Sequence, residues 1–184
     1  MKEQRLVKIL HTKRGQQILF EQYYTSMYAV AVRYVKLRED AEDLLSEAFI
    51  RVIRYSDTFE FCEEGSLNKW IKTIVINEAL RMLEKKKKIR ICEEMYETDL
   101  EITADVEGSI DMDFFLGVVN TLPDGYRVVF LMYVVEEYTH KEIAEKLNIS
   151  ISTSKSQLFK ARSFIVKKLK HLAKDEIIRN RKTV

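Results

Sequence analysis

The chain has 184 residues, 46% hydrophobic and 33% charged, which suits one globular domain or two small ones and excludes disorder throughout. Five glycines and one proline favour long uninterrupted helices over a many-turned sandwich or barrel. No run of eighteen apolar residues occurs, and the start "MKEQRLVKILHTKRG" lacks the apolar core of a signal peptide, so a cytoplasmic chain without membrane insertion is expected.

The net charge of +2 averages unlike parts: residues 1–90 carry +5, 91–113 carry −9, 114–138 carry −2 and 139–184 carry +8. Two basic blocks flanking an acidic strip suggest two lobes that face a polyanion. The strip, "ICEEMYETDLEITADVEGSIDMD", has no sustained amphipathic period, and its like charges repel. It reads as a flexible acidic linker, 91–113, between domains 1–90 and 114–184; an acidic surface loop within one domain is the other reading. The expected fold is all-α, with two small helical domains. Cys62 and Cys92 form no C-x-x-C pair and share no ligand spacing with His11, His140 or His171. Reduced thiols, no metal and no cofactor are expected; for Cys62 a redox role competes with a partly buried thiol.

In the first block, helices are expected over about 16–37, 40–55 and 66–86. In "REDAEDLLSEAFIRVIRY", Ala41, Leu44, Leu45, Ala48, Phe49, Val52 and Tyr55 share one broad side, the expected core. Asp43, Glu47, Ile50 and Arg54 fall opposite, placing an isoleucine outward among charges. That pattern fits a docking surface or a salt-bridged face with one stray apolar residue. The next helix starts with Ser66 as candidate N-cap, has an apolar stripe of Trp70, Ile71, Ile74, Val75, Ala79 and Met82, and ends in Lys85 to Lys88 and Arg90. A basic tip matches the helix dipole. With Lys69, Lys72 and Arg81 along the helix, it also fits a surface that follows phosphates. Tyr55, Phe59, Phe61 and Trp70 beside this charge could stack unpaired bases or pack as core.

In the second block, Pro123 opens a helix running to about residue 135. Thr139 and Glu142 have the spacing of a capping box for a helix reaching Leu147, with Ile143, Ala144 and Leu147 inward. Asn148 suits a left-handed helix exit, Ile149 fills the corner, and Ser150 or Ser152 caps the following helix. Two short helices so tightly joined match a helix-turn-helix. In the second helix Leu158, Ala161, Ile165 and Leu169 form the buried stripe. Thr153, Ser156, Lys160, Ser163 and Lys167 lie opposite, flanked by Ser152 and Gln157, with Lys155, Arg162, Lys168 and Lys170 nearer the sides. Such a face has the groups to enter a DNA major groove, or it is the solvated side of an α-hairpin.

Two blocks of the chain, from "FEQYYTSMYAVAVRYVKLREDAEDLLSEAFIRVIRY" to "GSLNKWIKTIVINEALRMLEKKKK" and "LPDGYRVVFLMYVVEEYTHKEIAEKLNISISTSKSQLFKARSFIVKKL", resemble domains two and four of the bacterial extracytoplasmic-function sigma factors. Their order, with an acidic strip between, is more specific than either block. The resemblance implies a non-enzymatic chain that binds core RNA polymerase, selects promoter DNA and helps open it. It also implies an anti-sigma partner and a monomer when free. It assigns polymerase docking to Asp43, Glu47, Ile50, Arg51 and Arg54, and the melted downstream element to Asn77 with Lys69, Lys72 and Arg81. A flipped base would sit under the loop 59–66. Ser152, Thr153, Ser156, Gln157 and Lys160 would read the upstream element, with Lys155 and Arg162 on its backbone. This chain departs from the family's pattern in three places. Ser154 stands where an apolar residue is common, and Ile76 where a basic one is. Gln157 replaces an arginine, a change that favours adenine over guanine. A dimeric helix-turn-helix regulator acting without polymerase, or a helical adaptor using the Asp43 face alone, are the competing classes.

Overall fold

In a computed structural model of the chain, residues 2–86 and 112–181 are described, and they form helices and turns. They make two compact units, each with its own core. The acidic strip lies outside the described residues, except that a helix already begins at Met112.

The first unit comprises α1 (Lys2–Ile9), α2 (Lys13–Val35), α3 (Arg38–Arg54), a 3-10 turn at Ser56–Thr58 and α4 (Ser66–Lys85). Helices α2, α3 and α4 pack pairwise, and α1 lies along α2. The expected inner face of α3 is buried from Ala41 to Val52, each large aliphatic or aromatic side chain there contributing about 1.5–3 kcal/mol. Tyr55, expected in that core, is 45% exposed, because the helix ends there and the chain turns away. In α4 the core face is broader than expected: Leu67, Ile76, Leu80 and Leu83 are buried, while Trp70, Ile74 and Met82 are half-buried. Packing against two helices encloses more of α4 than a one-sided stripe allows for.

Helix α1 was not among the expected elements, since eight residues are too few to show a period. Leu6 and Leu10 anchor it in the core. Thr12 caps α2, its hydroxyl accepting the Gly15 N–H at 3.0 Å. Gly15 is required by close approach: a Cβ there would lie 1.9 Å from the Ile9 carbonyl oxygen.

The second unit comprises α5 (Met112–Asn120), α6 (Asp124–Phe130), a π-helical turn at Leu131–Val135, α7 (His140–Leu147) and α8 (Ile151–Arg181). Pro123 precedes α6 as its N-cap, one position ahead of the first turn in which it was expected. The core is built by Val128 to Met132, Ile143, Ala144, Leu158, Ala161 and Ile165. Arg127 is 1% exposed, and its guanidinium donates to Asp124 Oδ1 at 2.6 Å and to the Leu122 carbonyl at 3.4 Å. Burial holds this guanidinium below its ordinary pKa, and the Asp124 carboxylate partly offsets that.

Candidate nucleic-acid interface

The tight bend between α7 and α8 is assembled from local chemistry. The Thr139 hydroxyl accepts the Glu142 N–H at 3.3 Å, and Glu142 Oε2 accepts the Thr139 N–H at 2.8 Å, completing the capping box. The Thr139 hydroxyl also donates to Glu142 Oε2 at 2.7 Å, and this bond, followed by that from the Thr139 N–H, holds the Glu142 carboxyl below its ordinary pKa. Asn148 takes the left-handed conformation at φ 52, and the Ile149 N–H closes back on the Ala144 carbonyl at 3.0 Å. Of the two candidate caps, Ser150 acts: its hydroxyl accepts the Thr153 N–H at 2.9 Å and meets the Ser152 and Thr153 hydroxyls at 2.7 and 2.8 Å.

Helix α8 presents Ser152, Lys155, Ser156, Phe159 and Arg162 to solvent, while Thr153 and Lys160 are half-buried. The exposed arc is turned roughly a fifth of a turn from the expected Thr153–Lys160 row, toward Lys155 and Arg162. Gln157 and Ser163, both expected outward, are 5% and 6% exposed. Gln157 therefore faces the interior in this arrangement, away from the exposed arc on which the adenine preference depends. The reason is that α5, α6 and α7 all pack on α8, enclosing more of its circumference than one supporting helix would. Phe159, 47% exposed between the basic side chains, was missed because an aromatic residue counts as core on a helical wheel.

Behind this face lies a polar pair invisible to periodicity. Ser154 is fully buried, and its hydroxyl meets His140 Nδ1 at 2.9 Å, tying the first turn of α8 to that of α7. The His140 ring stacks on Tyr133 at 4.4 Å, and the Arg162 guanidinium lies 5.9 Å from the same Tyr133 ring. The apolar residue common at this place is thus replaced by a satisfied hydrogen bond between helices rather than by looser packing.

In the first unit, Asp43, Glu47, Ile50 and Arg54 are all exposed on one side of α3, Ile50 at 50%. Arg51 is separated from them: its Nε lies 2.6 Å from Glu78 Oε1 on α4. The same oxygen lies 3.1 Å from Arg81, so Glu78 joins one arginine from the expected docking set to one from the expected DNA set. Lys69, Asn77 and Arg81 share one row of α4, Lys69 and Arg81 exposed and Asn77 half-buried, whereas Lys72, also half-buried, falls in the row of buried Ile76 and Leu80. At the end of α4, Lys86 pairs with Asp40 of α3, so part of the basic tip is structural. Lys87, Lys88 and Arg90 lie outside the described residues.

The loop between the 3-10 turn and α4 packs Phe59 on Trp70, ring centres 5.1 Å apart. Ser66 does not cap α4; its hydroxyl donates to the Glu63 carbonyl at 2.6 Å, and the N-cap is Gly65 at φ 93. The free amides are taken instead by Glu3 of α1, whose Oε2 accepts the Gly65 N–H at 2.9 Å and the Leu67 N–H at 3.2 Å. Sequence spacing could not reveal a cap supplied from so far along the chain.

The family model for sigma-70 region 2 matches residues 19–89, and that for sigma-70 region 4 matches residues 115–165. The extracytoplasmic-function RNA polymerase sigma factor SigW of Bacillus subtilis is 29% identical, the match covering 90% of this chain and 96% of that protein. SigM of the same organism is 25% identical, covering 78% and 88%. In fold, the chain is similar to the sigma factor RpoE of Bartonella quintana, solved in complex with the anti-sigma factor NepR. The TM-score is 0.52 and the identity 21%, with coverage of 84% of this chain and 96% of that one. With both regions matched in order on the two units just described, the chain belongs to the sigma-70 family, in its extracytoplasmic-function branch.

Proposed function

We propose that this sigma factor of transcription initiation works through three surfaces: the Asp43–Glu47–Ile50–Arg54 side of α3 for core RNA polymerase, the Lys69–Asn77–Arg81 row of α4 with its preceding loop for the melted downstream element, and α8 for the upstream element. The observation that carries the reading is the exposed row Ser152, Lys155, Ser156, Phe159 and Arg162, held outward by a capped, tightly turned helix pair. Serine hydroxyls can bond base edges, Phe159 can meet a thymine methyl, and Lys155 and Arg162 can reach phosphates. Arg51 and Gln157 drop out of the contact sets, the first supporting α3 against α4 and the second packing inside.

The polymerase makes the bonds; this chain supplies positioning and strand capture. The proposal includes a cytoplasmic monomer when free, domains 1–90 and 114–184, and an anti-sigma partner such as the one solved with the Bartonella quintana factor. Transcription in vitro with core polymerase and promoter fragments tests it. Asp43→Arg is expected to abolish polymerase binding, and Lys155→Glu to leave polymerase binding intact while lowering promoter binding about tenfold. Unchanged transcription from both variants would remove these assignments. Tight duplex binding by the free chain would instead fit a self-sufficient regulator.

A further inference from the structure

The loop 59–65 is held at both ends by the N-terminal segment. At its start, His11 Nε2 meets Asp57 Oδ1 of the 3-10 turn at 3.0 Å. At its end, Glu3 accepts the amides of Gly65 and Leu67, and its other oxygen accepts the Tyr23 hydroxyl of α2 at 3.1 Å. A carboxylate at the first turn of a 20-residue helix is favoured by two amides that have no acceptor within the helix and by the helix dipole. Tyr23 is 8% exposed, and burial, followed by its bond to Glu3 and the Glu3 charge, raises the pKa of its phenol. One carboxylate therefore links α1, α2 and the start of α4, while Leu6, Leu10 and the Gly15 approach fix α1 itself. The His11–Asp57 pair is exposed on both sides and contributes little by itself; it restrains the loop's entry, and Glu3 its exit.

We propose that α1 is a brace for the base-capturing loop, with Glu3 as the positioning residue that sets the loop's exit and the first turn of α4 for an unpaired base. This rests on the reading of the loop and α4 as the melted-element surface. Residue 3 lies outside the stretch 19–89 that carries the region 2 match. Without Glu3, Gly65 has no side-chain cap to replace it, since Ser66 is turned to Glu63. The loop then gains alternative arrangements, and the captured base must select one of them at a cost in affinity.

The test compares full-length wild type, Glu3→Ala, Glu3→Gln and Tyr23→Phe, each bound to core polymerase. Three affinities are measured: for polymerase, for a duplex upstream element, and for a single-stranded downstream element carrying a fluorescent base. Glu3→Ala is expected to weaken the single strand about tenfold, as loss of a helix cap converts to affinity, with the other two affinities unchanged. Glu3→Gln keeps one neutral oxygen for the two amides but loses the charge and the acceptor for Tyr23, and should fall between; Tyr23→Phe, which leaves both amides bonded to a carboxylate, should lose least. Equal single-strand binding by wild type and Glu3→Ala, or a parallel loss of all three affinities, would overturn the brace. If Glu3→Ala does not fold, the ranking of Glu3→Gln below Tyr23→Phe decides, and equal values overturn it. A wild-type holoenzyme that ignores the single strand would sink the functional reading and the brace with it.

Discussion

Ser154 and His140 are two polar residues in the helix-turn-helix, and their pairing decides how α7 meets α8. Burial, then the charges of Lys155 and Arg162, hold the His140 imidazole below its ordinary pKa. The folded protein thus favours the neutral ring. As pH falls through the ordinary imidazole range the unfolded chain takes up its proton first, so stability present at neutral pH is lost on acidification. Between about pH 7 and pH 5 the thermal midpoint of wild type is expected to fall further than that of His140→Gln, which cannot titrate there. Parallel curves would show that His140 is not held neutral. The same polar linkage explains why a serine can stand where packing would ask for an aliphatic side chain.

Among elements, α3 was the most legible, because seventeen residues with a sharp apolar side leave one solution for burial. Helix α8 was legible as a helix but not in its rotation, since three neighbours enclose it and Gln157 turns inward. Helix α1 was illegible: it is short, and it is held by tertiary contacts with α2 and α4. Its junction with α2 supplies a direct check. Gly15→Ala places a methyl against the Ile9 backbone, which cannot move aside as a flexible side chain would. The α1–α2 junction must open, and a loss of about 1–3 kcal/mol is expected in denaturant unfolding. An unchanged midpoint would mean that α1 is not fixed where the structure has it.

Across the whole molecule, charge is distributed by segment, with +5 in residues 1–90 and +8 in residues 139–184 around an acidic strip. Polyanion binding by such segments releases counterions and weakens as salt rises. Holoenzyme affinity for the upstream duplex is expected to fall linearly with log salt. Lys155→Gln should reduce that slope by about 0.9, one phosphate contact's share. An unaltered slope, measured by titration at several salt concentrations, would place Lys155 away from the DNA backbone.

Composition, helical period, the Thr139–Glu142 spacing and the order of two motif blocks were enough to determine an all-α chain of the sigma-70 family with a helix-turn-helix. These are local or statistical properties, carried by residues a few positions apart. Tertiary structure alone decided which way α8 turns, that Arg51 and Arg81 share Glu78, and that Glu3 caps α4. Each depends on groups distant in the chain meeting within hydrogen-bond range. That proximity is set by how several helices enclose one another, and no spacing along a single helix encodes it.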